Sequence, residues 1–138
     1  MTDEVVQRLR SLTRDDFESS HGLRELKEIV KALAADPNPR MAIVPLFEVL
    51  ERLAGADLGS PGPIVHFLEE IGGYEDELRR SLKRKPTDLT LWMANRIAND
   101  PAVASEREGW LAEIRAVSKR PDVPQDVRAA AEDFLAPE

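Results

Sequence analysis

The fold class is decided by residues 60–100, which read SPGPIVHFLEEIGGYEDELRRSLKRKPTDLTLWMANRIAND. Apolar residues recur here every three or four positions, the spacing of one helix face. Gly72-Gly73 and Pro86 interrupt the pattern, because glycine accepts the left-handed backbone that ends helices and proline lacks an amide hydrogen. The stretch therefore predicts three helices joined by short turns, over residues 61–71, 74–84 and 88–99.

The rest of the chain repeats this punctuation at DP, NP, SP, KP, DP and RP pairs, and no alternating β pattern persists beyond a few residues. Two further helices are predicted in the first 35 residues, one up to Leu12 and one from Asp15 or Asp16 to Ala35 with a possible break or kink at Gly22. A third is predicted over 39–54, with either a kink at Pro45 or a start nearer Val44. The last two are predicted over 101–119 and from Pro121 or Pro124 to Leu135. The sequence thus predicts an all-α fold. Its seven to eight helices form antiparallel pairs, in a short HEAT-like solenoid or an irregular bundle.

The length and composition indicate the number of domains, the redox environment and the cellular location of the chain. A length of 138 residues predicts a single helical domain, 1–138. Cysteine is absent, which excludes disulfides, thiol nucleophiles and cysteine-bound metals and suits a reducing cytoplasm. The N-terminus, MTDEVVQRLR, has no apolar core of a signal peptide, and no apolar run reaches the ~20 residues of a membrane span. A cytoplasmic protein without membrane contact is predicted.

The net charge of −7 argues against nucleic acid as a direct ligand, because phosphate binding needs a basic surface. All the excess lies between Met41 and Glu77, where eight acids face one base, Arg52. Such a field steers a basic protein partner toward the chain. The alternative is a solvated acidic face that only aids solubility.

The predicted helix over residues 88–99 carries an unusual polar stripe. Trp92, Asn95, Arg96 and Asn99 fall at i, i+3, i+4 and i+7, so they share one face. An ordinary exposed stripe carries Lys and Glu, whereas Trp and Arg are enriched at binding hot spots. Two interpretations stay open: the stripe binds a partner, or its polar groups brace neighbouring helices from within.

No group of residues indicates catalysis. His21 and His66 lie far apart in sequence and neither has a second histidine at metal-ligand spacing, although His66 could pair with Glu69 or Glu70 along a helix. The serines include no GxSxG elbow, and the GSPG segment at 59–62 lacks the lysine of a phosphate-binding loop. We predict no enzyme, no metal site and no cofactor.

The helix over residues 74–84 begins with acids and ends with bases, which suits the helix dipole. Its spacing predicts ion pairs from Glu75 to Arg79 and from Asp76 to Arg80. The basic run that ends this helix is therefore interpreted as a solvated, self-paired face.

Residues 60–100 also resemble the middle of a known family. The residues that carry the resemblance are Gly62, Pro63, His66, Phe67, Lys85, Pro86, Trp92, Asn95, Arg96 and Asn99. In this pattern the stretch is similar to the small helical immunity proteins encoded beside bacterial polymorphic or contact-dependent toxins. The resemblance covers about 40 residues; the first 55 residues carry none of it.

The resemblance implies a protein of bacterial competition that binds and neutralises a cognate toxin domain, often a nuclease. The acidic window independently favours a basic partner. The predicted contacts are Glu69, Glu70, Glu75, Asp76 and Glu77 for charge, and Tyr74, Trp92, Asn95, Arg96, Asn99 and His66 for specificity. The alternative function is a HEAT-like adaptor that binds a peptide or protein without inhibiting it; the sequence does not indicate the oligomeric state.

Overall fold

The computed structural model describes residues 2–137, and within them every regular element is helical. The all-α prediction is confirmed. The eight α-helices of the described residues are α1 (Thr2–Ser11), α2 (Ser20–Ala34), α3 (Ile43–Arg52), α4 (Pro63–Ile71), α5 (Glu75–Arg84), α6 (Asp88–Ala98), α7 (Arg107–Ser118) and α8 (Gln125–Leu135). Short 3₁₀ helices cover Arg14–Glu18, Pro39–Ala42 and Pro101–Glu106.

The chain divides into two compact units, an N-terminal unit of residues 1–77 and a C-terminal unit of residues 78–138. In the N-terminal unit, α2 packs on α1 and α4, and α1 packs on α3. In the C-terminal unit, α6, α7 and α8 each contact the other two. The single domain and the choice between a solenoid and a bundle stay predictions.

Each unit has its own apolar core. The N-terminal unit buries the apolar faces of its helices, including Leu26 and Ile29 of α2, Phe47 of α3 and Leu68 of α4, all of which are fully buried. The C-terminal unit does the same with Trp110 and Ile114 of α7, Leu91 and Met93 of α6, and Ala131 of α8. Burying each large side chain contributes about 1.5–3 kcal/mol.

The turn before α4 differs from its prediction. The helix begins at Pro63, not Pro61, and Gly62 precedes it with a φ of 93°. A Cβ atom on Gly62 would collide with the carbonyl oxygen of Leu58, and one on Gly59 with Gly62. The glycines of the GSPG segment therefore permit a close backbone approach that no other residue allows.

The possible break or kink at Gly22 is also corrected. The chain breaks at Ser19 instead, where the backbone is extended and the serine Oγ accepts a hydrogen bond of 3.3 Å from the His21 amide. Gly22 lies inside α2, where an added Cβ would stand 2.5 Å from the Asp16 carbonyl oxygen and 2.7 Å from the Phe17 ring. Its role is close packing of the preceding 3₁₀ helix on α2.

Two long predicted helices are each split by the structure into a 3₁₀ helix and an α-helix. The segment over 39–54 becomes Pro39–Ala42 followed by α3, whose start at Ile43 agrees with the predicted start nearer Val44. Pro45 falls in the first turn of α3, where a missing amide hydrogen costs no helical bond. The segment over 101–119 becomes Pro101–Glu106 followed by α7, with Val103 in a non-helical conformation.

Arginine side chains close the carboxyl ends of helices in the N-terminal unit. Arg52, at the end of α3, donates to the carbonyl oxygens of Leu12 (2.6 Å) and Leu9 (3.1 Å) at the end of α1. Arg14, just after α1, donates in return to Ala54 (2.7 Å) just after α3. Helix ends leave carbonyls without partners and carry partial negative charge, so a guanidinium satisfies both needs.

Arginine side chains also donate hydrogen bonds to helix-end carbonyls at α4 and in the C-terminal unit. Arg40 donates to the Ile71 carbonyl (3.2 Å) at the end of α4. Arg120 donates to the carbonyls of Leu82 and Lys83 (3.1 and 2.8 Å) near the end of α5, and Arg107 to that of Ala98 (3.0 Å) at the end of α6. Five arginines thus fix helix ends to segments that lie at a distance along the chain.

Candidate functional site

Four of the predicted acidic contacts lie close together in sequence around the Gly72-Gly73 turn. Glu69 and Glu70 end α4, and Glu75 and Asp76 begin α5. Glu70 and Asp76 are exposed, while Glu69 and Glu75 are half-buried. Glu70 and Glu75 take part in no recorded ion pair or hydrogen bond within residues 2–137. We call these four residues the acidic surface.

The other acids of the window have local roles or little exposure. Glu48 lies 3.8 Å from the Nε of Arg10, and Asp57 accepts a hydrogen bond of 3.1 Å from the Gly59 amide. Glu51 is 9% exposed. Among the eight acids of residues 41–77, Glu70 and Glu75 are therefore the two that have no recorded partner in the described residues.

Two predicted contacts do not belong to an exposed surface. Tyr74 is 7% exposed and Glu77 is 6% exposed, so neither presents enough area for a partner to contact. The tyrosine lies between the turn glycines and α5, where its ring is covered, and the sequence pattern alone could not distinguish that position from an exposed one. Neither residue belongs to the candidate site.

His66 is exposed on α4, but it forms no recorded hydrogen bond or ion pair, so the predicted pairing with Glu69 or Glu70 is wrong. Its imidazole is free to contact a partner beside the acidic surface. Among the described residues, no group of three or more His, Asp or Glu side chains is placed to hold a metal ion.

The N-terminal unit also exposes two large apolar side chains that sequence reasoning missed. Met41 is 48% exposed and Val44 is 49% exposed, one helical turn apart. Arg40, the residue before Met41, contacts the end of α4 beside the acidic surface. The available signal was the spacing of the apolar face of this segment, which joins Ile43, Leu46, Phe47, Leu50 and Leu53 and leaves out Met41 and Val44.

The Trp92 stripe lies on α6, which a capping box positions. The Thr87 hydroxyl accepts from the Thr90 amide (3.2 Å), and the Thr90 hydroxyl accepts from the Thr87 amide (2.9 Å). Trp92 is half-buried and Arg96 is exposed, with its guanidinium carbon 5.1 Å from the centre of the indole ring. This distance is within the range of a cation–π contact, which holds the two side chains together.

The two asparagines of the stripe differ in role. Asn99 is exposed, and its Oδ1 accepts a hydrogen bond of 2.8 Å from Arg107, so it braces the start of α7 as the internal interpretation proposed. Asn95 is half-buried, and its amide has no recorded partner within residues 2–137. Part of the stripe is therefore structural and part is available for binding.

A groove of about 620 Å³ opens beside these asparagines in the C-terminal unit. It is lined by polar and apolar side chains from α6, α7 and the end of α8 and the residues after it: Asn95, Asn99, Arg107, Leu111, Arg115, Asp133, Phe134, Leu135, Ala136 and Pro137. Only the two asparagines were predicted as site residues. The others come from helices distant in sequence, and no local pattern links them.

The basic end of α5 is engaged within the C-terminal unit. The Arg79 guanidinium carbon lies 4.2 Å from the ring centre of the buried Trp110, and its Nη2 lies 4.0 Å from Glu106. Lys83 lies 3.6 Å from Glu113. The predicted pairing of Glu75 with Arg79 is thus replaced by stacking on an indole, which a buried aromatic ring favours.

Comparisons with protein-family models, with curated proteins and with solved structures find no match to this chain. None of the described helices combines the length and the apolar character that crossing a membrane requires.

Proposed function

We propose that this chain is an immunity-type inhibitor, which binds a basic bacterial toxin domain through the acidic surface and thereby neutralises it. The observation that carries the proposal is the pair Glu70 and Glu75, whose carboxylates have no recorded partner in the described residues. They lie in a unit with sixteen acids and eight bases. The resemblance of residues 60–100 to helical immunity proteins supports the same function.

The mechanism follows from electrostatics and surface chemistry. A domain that grips a polyanion has a basic cleft, and carboxylates on a helical surface can occupy that cleft in place of phosphates. Long-range attraction speeds the encounter, and salt weakens it because the Debye length is only about 8 Å at physiological ionic strength. Met41 and Val44 would add apolar contact area beside the charges.

The test uses the basic C-terminal domain of a toxin encoded in the neighbouring gene. Stopped-flow fluorescence measures its association rate with the wild-type chain and with a Glu70→Lys, Glu75→Lys double variant. We expect the rate constant to fall by about tenfold or more in the variant, because electrostatic steering changes association rates by that order. The wild-type rate should also fall with added salt.

A matched control carries Glu28→Lys and Glu132→Lys, two exposed acids elsewhere on the chain, so that its net charge equals that of the double variant. Equal association rates for the two variants would contradict the proposal. Binding without loss of toxin activity would instead favour the adaptor.

A further inference from the structure

The groove of the C-terminal unit contains hydrogen-bonding groups that the fold does not use. Arg107 employs its Nη1 for Ala98 and Asn99, and its Nε and Nη2 have no recorded acceptor within residues 2–137. Arg115 uses its Nη2 for Glu108 alone, a carboxylate that is 81% exposed. Together with the Asn95 amide, these groups line one concave surface.

The charge of the lining and its apolar side chains further limit which ligands the groove can bind. Two guanidinium groups and one carboxylate, Asp133, line the groove, while Glu108, which pairs with Arg115, lies outside the lining. The lining itself therefore carries one net positive charge and suits a singly charged anion. A phosphate dianion is less suited, because Asp133 would repel it. Leu111, Phe134 and Leu135 are half-buried in the same lining and offer an apolar contact.

We infer that the groove binds the C-terminal residue of a peptide whose last side chain is apolar. Arginine binds a carboxylate through two parallel hydrogen bonds, so Arg107 and Arg115 would hold the terminal carboxylate. The Asn95 side chain donates to and accepts from the last peptide amide, and the terminal side chain packs on Leu111 and Phe134. The volume of about 620 Å³ is within the range of ligand sites, about 300–1,000 Å³.

The experiment compares three probes by ¹⁵N NMR titration of the full chain: acetyl-Gly-Gly-Leu with a free carboxylate, the same tripeptide as its C-terminal amide, and 4-methylpentanoate. We expect the free-acid peptide to shift amide signals of residues 95–99, 107–115 and 133–137. The amide should bind at least about tenfold more weakly, because it loses a charge-assisted hydrogen-bond pair. Equal affinity for 4-methylpentanoate would overturn the peptide assignment in favour of a free acid.

Variants locate the site. The side chain of Arg115 interacts with the exposed Glu108. Arg115→Gln should lower the affinity for the free-acid peptide by about tenfold. Asn95→Asp places a negative charge beside the carboxylate and should weaken binding by a similar factor. The control is Lys119→Gln, which removes one exposed positive charge outside the groove and should leave the affinity unchanged.

Three outcomes would each overturn the inference. The first is that the peptide saturates the wild-type chain without shifting the signals of the groove residues, and the second is that it does not bind at millimolar concentration. The third is that Lys119→Gln and Arg115→Gln lose equal amounts of peptide affinity. These outcomes leave the proposed function unaffected, because the acidic surface lies in the N-terminal unit and is tested by association rate.

Discussion

The two units of the chain use charge in opposite ways. The N-terminal unit has sixteen acids and eight bases, and its uncompensated carboxylates include Glu70 and Glu75 on exposed or half-exposed helix ends. The C-terminal unit has ten acids and eleven bases, and its groove is lined by two arginines and one aspartate. The N-terminal unit therefore has an electrostatic field that acts on a partner at a distance. The C-terminal unit has a groove lined by hydrogen-bonding groups, which act only on contact.

The largest expected effect concerns backbone packing in the N-terminal unit. Gly62→Ala should destabilise the protein by about 3 kcal/mol, because the φ of 93° strains any Cβ and the Leu58 carbonyl oxygen already fills its space. Urea unfolding measures the loss. The control Gly55→Ala has a similar φ of 88°, but an added Cβ would meet only the Arg14 Nη1 at 3.9 Å, an ordinary contact, so it should cost only about 1 kcal/mol.

Hydrogen exchange on Gly62→Ala extends the comparison. Faster exchange confined to residues 2–77 would show that the two units unfold separately. An equal increase in residues 78–137 would show one cooperative domain, as the length of the chain predicts.

The next effect concerns the arginine that ties α3 to α1. Arg52→Met should destabilise the N-terminal unit by about 2 kcal/mol, because the carbonyls of Leu9 and Leu12 lose a charged donor. Thermal and urea unfolding measure the change. Arg24→Met removes an exposed arginine of α2 with no recorded partner in the described residues and should stay within ~0.5 kcal/mol of wild type. Equal losses in the two variants would contradict the capping role.

A glycine of the C-terminal unit should respond with the opposite sign. Gly109 lies inside α7, and an added Cβ would meet nothing within 4 Å. Gly109→Ala should therefore stabilise the protein by about 0.5–1 kcal/mol, because alanine loses less conformational freedom in a helix. A loss of stability in urea unfolding would show that this face of α7 is covered.

The smallest effect is a pH dependence in the C-terminal unit. Arg120, which closes α5, donates to both carboxylate oxygens of Asp122 at 3.1 and 2.7 Å, and this hydrogen bonding lowers the pKa of Asp122 below its usual 3.8. A lowered folded-state pKa adds stability above the unfolded pKa, and that stability is lost as the pH falls through the folded pKa. The unfolding free energies of wild type and Asp122→Asn should therefore converge below about pH 3.8. Parallel curves from pH 7 to pH 2 would contradict this assignment.

The helix boundaries between residues 60 and 100 were predictable because the residue types at those boundaries determine where a helix ends or begins. Gly72-Gly73, Pro86 and Thr87 each act on the local backbone, and the structure places α5 and α6 within one residue of their predicted starts. Where a boundary depended on packing, the prediction failed. Gly22 looked like a break and is instead a contact, since its missing Cβ admits the Phe17 ring.

The candidate site was predictable only in part. The helical period places Asn95 and Asn99 on one face, and both line the groove. Arg107, Arg115 and Phe134 reach the same groove from α7 and the end of α8, and no spacing within a single helix could have joined them. Likewise, burial of Tyr74 and Glu77 depends on what covers them, which a one-dimensional pattern does not contain.

The arginine side chains that cap the helix ends limit how this sequence can diverge during evolution. Because each one bonds to main-chain oxygens, the attachment does not depend on which residue supplies the oxygen. Lysine could not replace Arg14, Arg52 or Arg120, since a single ammonium lacks the planar fork with which each of them spans two carbonyls. Descendants of this sequence should therefore keep arginine at those three positions while their outward helix faces diversify.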